Sequence, residues 1–130
     1  MFKASFSGMS VDDLEKAKEF YVGTLGLELT NEKMGLEFKL PGGGELFIYD
    51  KEDHQPATFT VLNLVVADID QAIDELSGKG IKFEQYDLGN GAKTDEKGVL
   101  RGLSAQMGPD IAWFKDPADN ILSVLQGPEA

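Results

Sequence analysis

Val11-Asp12-Asp13-Leu14 and, 55 residues further on, Val66-Ala67-Asp68-Ile69 open two segments with the same local plan. The same offset lays Ala17 on Ala72 and Tyr21 on Leu76. An internal repeat constrains the whole fold, so every other residue is read against it. Each half begins with a strand-like run, Ser5 to Val11 and Thr58 to Val66, and then changes period from two to 3.6. In the first half Leu14, Ala17, Tyr21 and Leu25 form an apolar stripe at helical spacing. Asp12 with Glu15 reads as a capping box, and Gly26 as the left-handed stop. In the second half Ile69, Ala72, Ile73 and Leu76 repeat the stripe behind Asp68 and Gln71, with Gly78 and Gly80 at its end.

Short runs of strand composition follow each helix. They cover residues 27–32, 36–40 and 45–49 in the first half, broken near Met34-Gly35 and at Pro41-Gly42-Gly43-Gly44. In the second half they cover 81–86, a run near 103–107, then 111–115 and 121–126. The fold class is therefore α+β, with two βαβββ units forming a cupped mixed sheet around a central cavity. The chain reads as one domain over 1–130, with unit one at 1–50, a polar connector at 51–57 and unit two at 58–126. One helix per unit covers one sheet face, and the bare faces are where a ligand site is expected.

Composition narrows the chemistry. The chain has 130 residues, of which 42% are hydrophobic, and a length that buries roughly 65–70% of the unfolded surface needs no metal or disulfide staple. No cysteine is present, which excludes thiolate nucleophiles, disulfides and Cys-based metal sites. A single histidine, His54, excludes any site built on two imidazoles. The net charge of −11 repels a phosphate backbone and attracts cations, so nucleic acid is not an expected partner. Neither an export signal nor a membrane-spanning run is legible, and the expectation is a cytoplasmic protein without membrane contact.

The segments Val11 to Tyr21, Leu25-Gly26-Leu27 and Trp113-Phe114-Lys115-Asp116-Pro117-Ala118-Asp119-Asn120 carry a resemblance. They resemble the vicinal oxygen chelate superfamily of glyoxalase I, extradiol dioxygenases, fosfomycin-resistance enzymes and bleomycin-resistance binding proteins. The resemblance spans nearly the whole chain and speaks for fold more than activity. In metal-dependent members it implies a His or Gln on the first strand of each unit and a Glu on the last. Carried over residue by residue, these positions fall on Phe6, Val61 and Ser123, with the fourth on Phe47 or, two residues back, Glu45. Phe and Val have no lone pair to offer, and a neutral serine hydroxyl is a poor ligand beside imidazole or carboxylate. No metal site and no cofactor are expected.

Strand alternation names the other residues of the bare faces. Ala4, Gly8 and Ser10 share a face with Phe6, Asn63 and Val65 with Val61, and Glu45 and Tyr49 with Phe47. Asn63 reads either as a satisfied buried amide or as a ligand contact, and Tyr49 as a stacking phenol or a sheet tyrosine open to water. Trp113 and Phe114 point to opposite faces, and the sequence leaves open which one lines the cavity. His54 reads as a solvated loop residue with no triad context. The irregular stretch 87–102 reads as a lid, and its Arg101 as a cation for an anionic ligand group or as a surface ion pair.

The expectation is a binding protein holding a small, partly apolar molecule against Phe6, Phe47, Tyr49, Val61, Asn63, Arg101, Trp113 and Ser123. No residue is assigned a catalytic role, and a homodimer is expected. The alternatives are a metal-independent isomerase or lyase using Glu45 or Tyr49 as proton carrier, a glyoxalase- or dioxygenase-type metal enzyme with ligands in another register, and an interaction module.

Overall fold

The computed structural model describes residues 1–128. The chain divides into two compact units, Met1–Pro56 together with Asp116–Asn120, and Ala57–Lys115 together with the chain from Ile121 onward.

In the first unit β1 (Ser7–Val11) leads into α1 (Leu14–Lys18), followed by β2 (Glu28–Asn31), β3 (Leu36–Lys39) and β4 (Glu45–Asp50). The strands lie in the order β1-β4-β3-β2, with β1 parallel to β4 and the other pairs antiparallel. Met9, Val11, Leu36, Phe38, Leu46 and Ile48 are buried with Ala17 and Tyr21 of the helical segment. Burial of each large apolar side chain contributes about 1.5–3 kcal/mol. The helix is capped by Asp13 rather than Asp12: Asp13 is still extended, and its carboxylate accepts the Lys16 N–H at 3.1 Å. Instead of running on as α-helix, the chain widens into a π-helical stretch over Glu19–Thr24, in which the Leu25 N–H reaches Phe20 O at 2.9 Å. Gly26, at φ 70°, then turns the chain out of the helix.

In the Asp116–Asn120 turn two polar side chains, Asp116 and Asn120, are buried. Asp116 accepts hydrogen bonds from Tyr21 Oη at 2.7 Å, from the Ala118 and Asn120 N–H groups at 2.9 Å each, and from Asn120 Nδ2 at 3.0 Å. A buried carboxylate with four donors is satisfied. Burial first, and Asp116 second, push the Tyr21 phenol far above its ordinary value, so it stays protonated.

The second unit repeats the plan with β5 (Thr60–Val65), α2 (Ile69–Gly78), β6 (Val99–Arg101), β7 (Asp110–Lys115) and β8 (Ile121–Gln126). Strand order is β5-β8-β7-β6, with β5 parallel to β8. Asp68 caps α2 by accepting the Gln71 N–H at 3.1 Å, 55 positions after Asp13 does the same for α1. Ile69, Ile73, Val99, Ala112, Phe114, Leu122 and Val124 are buried.

Two expected strands are absent from this unit. Residues 81–86 make no strand, because both backbone groups of Tyr86 are taken up by Thr94: its N–H bonds Thr94 Oγ1 at 2.8 Å and its carbonyl accepts the Thr94 N–H at 2.9 Å. Residues 103–107 form turns, closed by Met107 N–H on Gly102 O at 2.9 Å. The strand is instead Val99–Arg101, seated by Asp95, whose Oδ1 accepts the Lys97 and Val99 N–H groups at 2.9 Å each.

Candidate functional site

Each sheet has a helix-covered face and an open one. On the open face of the first sheet Gly8 stands beside Phe47, which stands beside Glu37, and Ser10 stands beside Tyr49. β1 begins only at Ser7, so Phe6 precedes the strand and is 66% exposed. Its ring meets Phe47 edge-on, with centroids 6.3 Å apart, and Phe47 stacks on Tyr49 at 5.8 Å and 23°. Beside this aromatic row opens a groove of about 680 Å³, lined among others by Phe6, Asn31, Met34, Glu37, Glu45 and Phe47. Gly35 makes room for the row: a Cβ there would lie 2.8 Å from the Phe47 ring and 2.7 Å from Ile48 O.

On the second sheet the register Asn63, Ser123, Trp113 runs across three strands on the open face. Ser123 is fully buried and donates its hydroxyl to Asn63 Oδ1 at 2.5 Å. That bond turns the exposed Asn63 so that its NH₂ group is the one presented. Trp113 is half-buried, donates Nε1–H to Thr60 Oγ1 at 3.0 Å, and meets Tyr86 in a T-shaped contact at 5.5 Å. Phe114 is buried in the core, so the open face belongs to Trp113. Val61 sits at a register irregularity between Thr60 and Leu62 and is half-buried.

Arg101 lies apart from both rows. Its guanidinium binds both carboxylate oxygens of Asp70 at 2.9 and 3.0 Å, and Asp95 Oδ2 at 2.9 Å. Lys97 joins Asp70 at 3.0 Å. Hydrogen bonds from Arg101 and then Lys97 hold the Asp70 carboxyl well below its usual range. Burial raises Asp95, but the Val99 N–H and Arg101 bonds outweigh it and the net shift is downward.

The sequence reads His54 as a solvated loop residue. It is half-buried instead, with Nδ1 2.6 Å from Ser10 Oγ and Nε2 2.9 Å from Ala118 O. Ser10 and His54 are 44 positions apart, and no local motif announces their meeting. Tyr86 and Thr60 were missed for the same reason, since each matters only through its contact with Trp113.

The family-implied ligand positions carry Phe6, Val61, Phe47 and Ser123, and the Ser123 hydroxyl is already given to Asn63. Only Glu45 brings a carboxylate, and one carboxylate does not fit a divalent ion that needs three or four ligands. Among the described residues no group of three or more His, Asp or Glu side chains is placed to hold an ion.

A model of the Glyoxalase/Bleomycin resistance protein/Dioxygenase superfamily matches residues 5–122. The chain belongs to this superfamily. Similar solved structures include a glyoxalase family protein from Bacillus anthracis, 20% identical with a TM-score of 0.67, covering 98% of each chain. TnmS3, an antibiotic binding protein from Streptomyces sp. CB03234, is 25% identical with a TM-score of 0.64, covering 98% of this chain and 99% of its own. A fosfomycin resistance protein from Listeria monocytogenes is 14% identical with a TM-score of 0.67, over 98% and 95% of the two chains, a likeness of fold alone. No curated protein matches the chain. Within this superfamily the fold hosts many chemistries, so function rests on the two open-face rows. No helix among the described residues is long and apolar enough to cross a membrane.

Proposed function

We propose that this superfamily member binds a small, partly apolar molecule on the open face of its first sheet, without a resident metal ion. The observation that carries the reading is the row Phe6, Phe47 and Tyr49, in which the Phe47 ring touches the other two, beside a groove of about 680 Å³. Aromatic surface left facing water gains about 25 cal/mol per Å² when a ligand covers it. Asn31, Glu37 and Glu45 supply polar contacts at the groove, and the net charge of −11 favours a neutral or cationic ligand. The rigid indole of Trp113 and the oriented amide of Asn63 offer a second contact surface of the same character. The likeness to an antibiotic binding protein supports a small-molecule ligand. Arg101 has no part in this reading, because its charge and three of its five N–H donors are engaged by Asp70 and Asp95.

We also read the chain as a homodimer, on the support of Phe59 and Val65, which are 67% and 74% exposed in the second unit. The binding test is calorimetry with planar aromatic amines and neutral aryl amides, alongside metal analysis of the purified protein. The expected result is a bound compound whose affinity falls about tenfold or more in Phe47→Ala, the effect of losing roughly 1.4 kcal/mol of ring contact. Stoichiometric, tightly held metal released by Glu45→Gln would overturn the reading.

A further inference from the structure

Ser10 lies on the open face of β1 beside Tyr49, and its Oγ is 2.6 Å from Nδ1 of His54. The other ring nitrogen, Nε2, is 2.9 Å from the Ala118 carbonyl. A carbonyl oxygen only accepts, so Nε2 carries a proton, and in the neutral ring the Nδ1 lone pair then faces the serine hydroxyl. The hydroxyl proton is thus directed at a base, and that base is oriented by a third group. This is the arrangement that activates a serine for acyl transfer.

The pair is held from several sides. Lys51 N–H bonds Val11 O at 2.9 Å and His54 N–H bonds Lys51 O at 3.0 Å, a turn that brings the imidazole back to β1. Asn120 Nδ2 donates to the Ser10 carbonyl at 2.8 Å and is itself anchored on Asp116. Both Ser10 and His54 are half-buried, held yet reachable. Tyr49, the neighbour of Ser10, continues through its stack with Phe47 into the aromatic row. Tyr49 is thus the link between Ser10 and the rings on which a flat aryl group would seat.

We propose that Ser10 is an acyl acceptor, with His54 as its base, for aryl esters held by the aromatic row. The inference rests on the reading of that row as a binding surface. Ser10 Oγ attacks the ester carbonyl carbon while its proton passes to His54 Nδ1. The bond from that carbon to the aryl oxygen then breaks, the oxygen leaves with the electron pair, and the His54 proton neutralises it as the phenol. The acyl group stays on Ser10 until water adds to it by the same base, returning the serine and releasing the carboxylic acid.

The test incubates the full chain with p-nitrophenyl acetate and follows nitrophenol release, intact mass and the modified peptide. In parallel, calorimetry measures binding of 4-nitroacetanilide, an amide of similar shape that resists cleavage. The expected result is one acetyl group on the peptide containing Ser10, absent in Ser10→Ala and formed about 100-fold more slowly in His54→Gln, the usual contribution of a positioned base. Ser10→Cys keeps a nucleophile within reach of the base and should still be acetylated, which keeps the test decisive if Ser10→Ala fails to fold. Acetylation confined to lysines or the amino terminus, or unchanged in His54→Gln, overturns the inference. Amide binding without acetylation of Ser10 overturns the inference and leaves the binding reading standing. Absence of amide binding counts against the binding reading itself.

Discussion

Tyr21, Gly35 and Ser123 each do work that no neighbour in sequence explains. Tyr21 donates to the buried Asp116 across 95 positions. Tyr21→Phe keeps the ring in the core and removes one of four hydrogen bonds to a buried carboxylate, so it should cost about 1.5–3 kcal/mol. Urea unfolding checks this as a lower midpoint with an unchanged slope. Gly35→Ala should cost about 1–3 kcal/mol, because the added methyl meets Ile48 O and the Phe47 ring, and one of them must move. If the aromatic row binds ligand, that variant also weakens binding more than its lost stability accounts for, which calorimetry on the folded fraction measures. Ser123 stands where metal-dependent relatives are expected to place a glutamate, and its proton fixes the Asn63 amide instead. Its chemistry was legible in the sequence as a poor metal ligand. Its partner was not, because the pairing depends on the β5 and β8 register.

Among the elements, α2 and the segment before β6 are joined by charge. Asp70 on α2 takes Arg101 and Lys97, and Asp95 takes Arg101 and seats Val99. Asp70 is held below its usual range, so the folded state binds this proton more weakly than the unfolded chain does. Its stabilisation is therefore complete above the ordinary aspartate range, about pH 4, and is lost as pH falls through the lowered value. The Asp70 side chain is 48% exposed, and solvent screening keeps the contribution to about 1 kcal/mol or less. Denaturation of wild type and Asp70→Asn over pH should show a gap near neutrality that closes below about pH 4. The same gap should narrow in high salt. The helices and the strands β1 to β5, β7 and β8 were legible as elements because their periodicity is local. Residues 81–86 and 103–107 do not form the expected strands, because their backbone groups are taken by Thr94 and by tight turns, while the short β6 falls inside the irregular stretch 87–102, seated by Asp95.

At the scale of the molecule, the charge of −11 and the exposed Phe59 and Val65 pull in different directions. Like charges oppose association, while uncovered apolar side chains favour it. If the homodimer reading holds, light scattering after gel filtration gives twice the chain mass, and Val65→Asp shifts it toward the monomer. Higher salt should strengthen the dimer by screening the repulsion.

The sequence by itself determined the repeat, the two capped helices, the side of each sheet that meets its helix, and the absence of side chains suited to an ion at the family-implied positions. The caps and faces follow from residue type and spacings of a few positions, the repeat from their recurrence 55 residues on, and the last from residue type at positions the family resemblance supplies. Tertiary structure alone decided that Trp113 takes the open face, that Arg101 is spent on Asp70 and Asp95, and that Ser10 meets His54. Each of those depends on strand register or on bringing together segments far apart in the chain. Local propensity carries no record of such pairings, because only the packed chain brings those atoms within reach of one another.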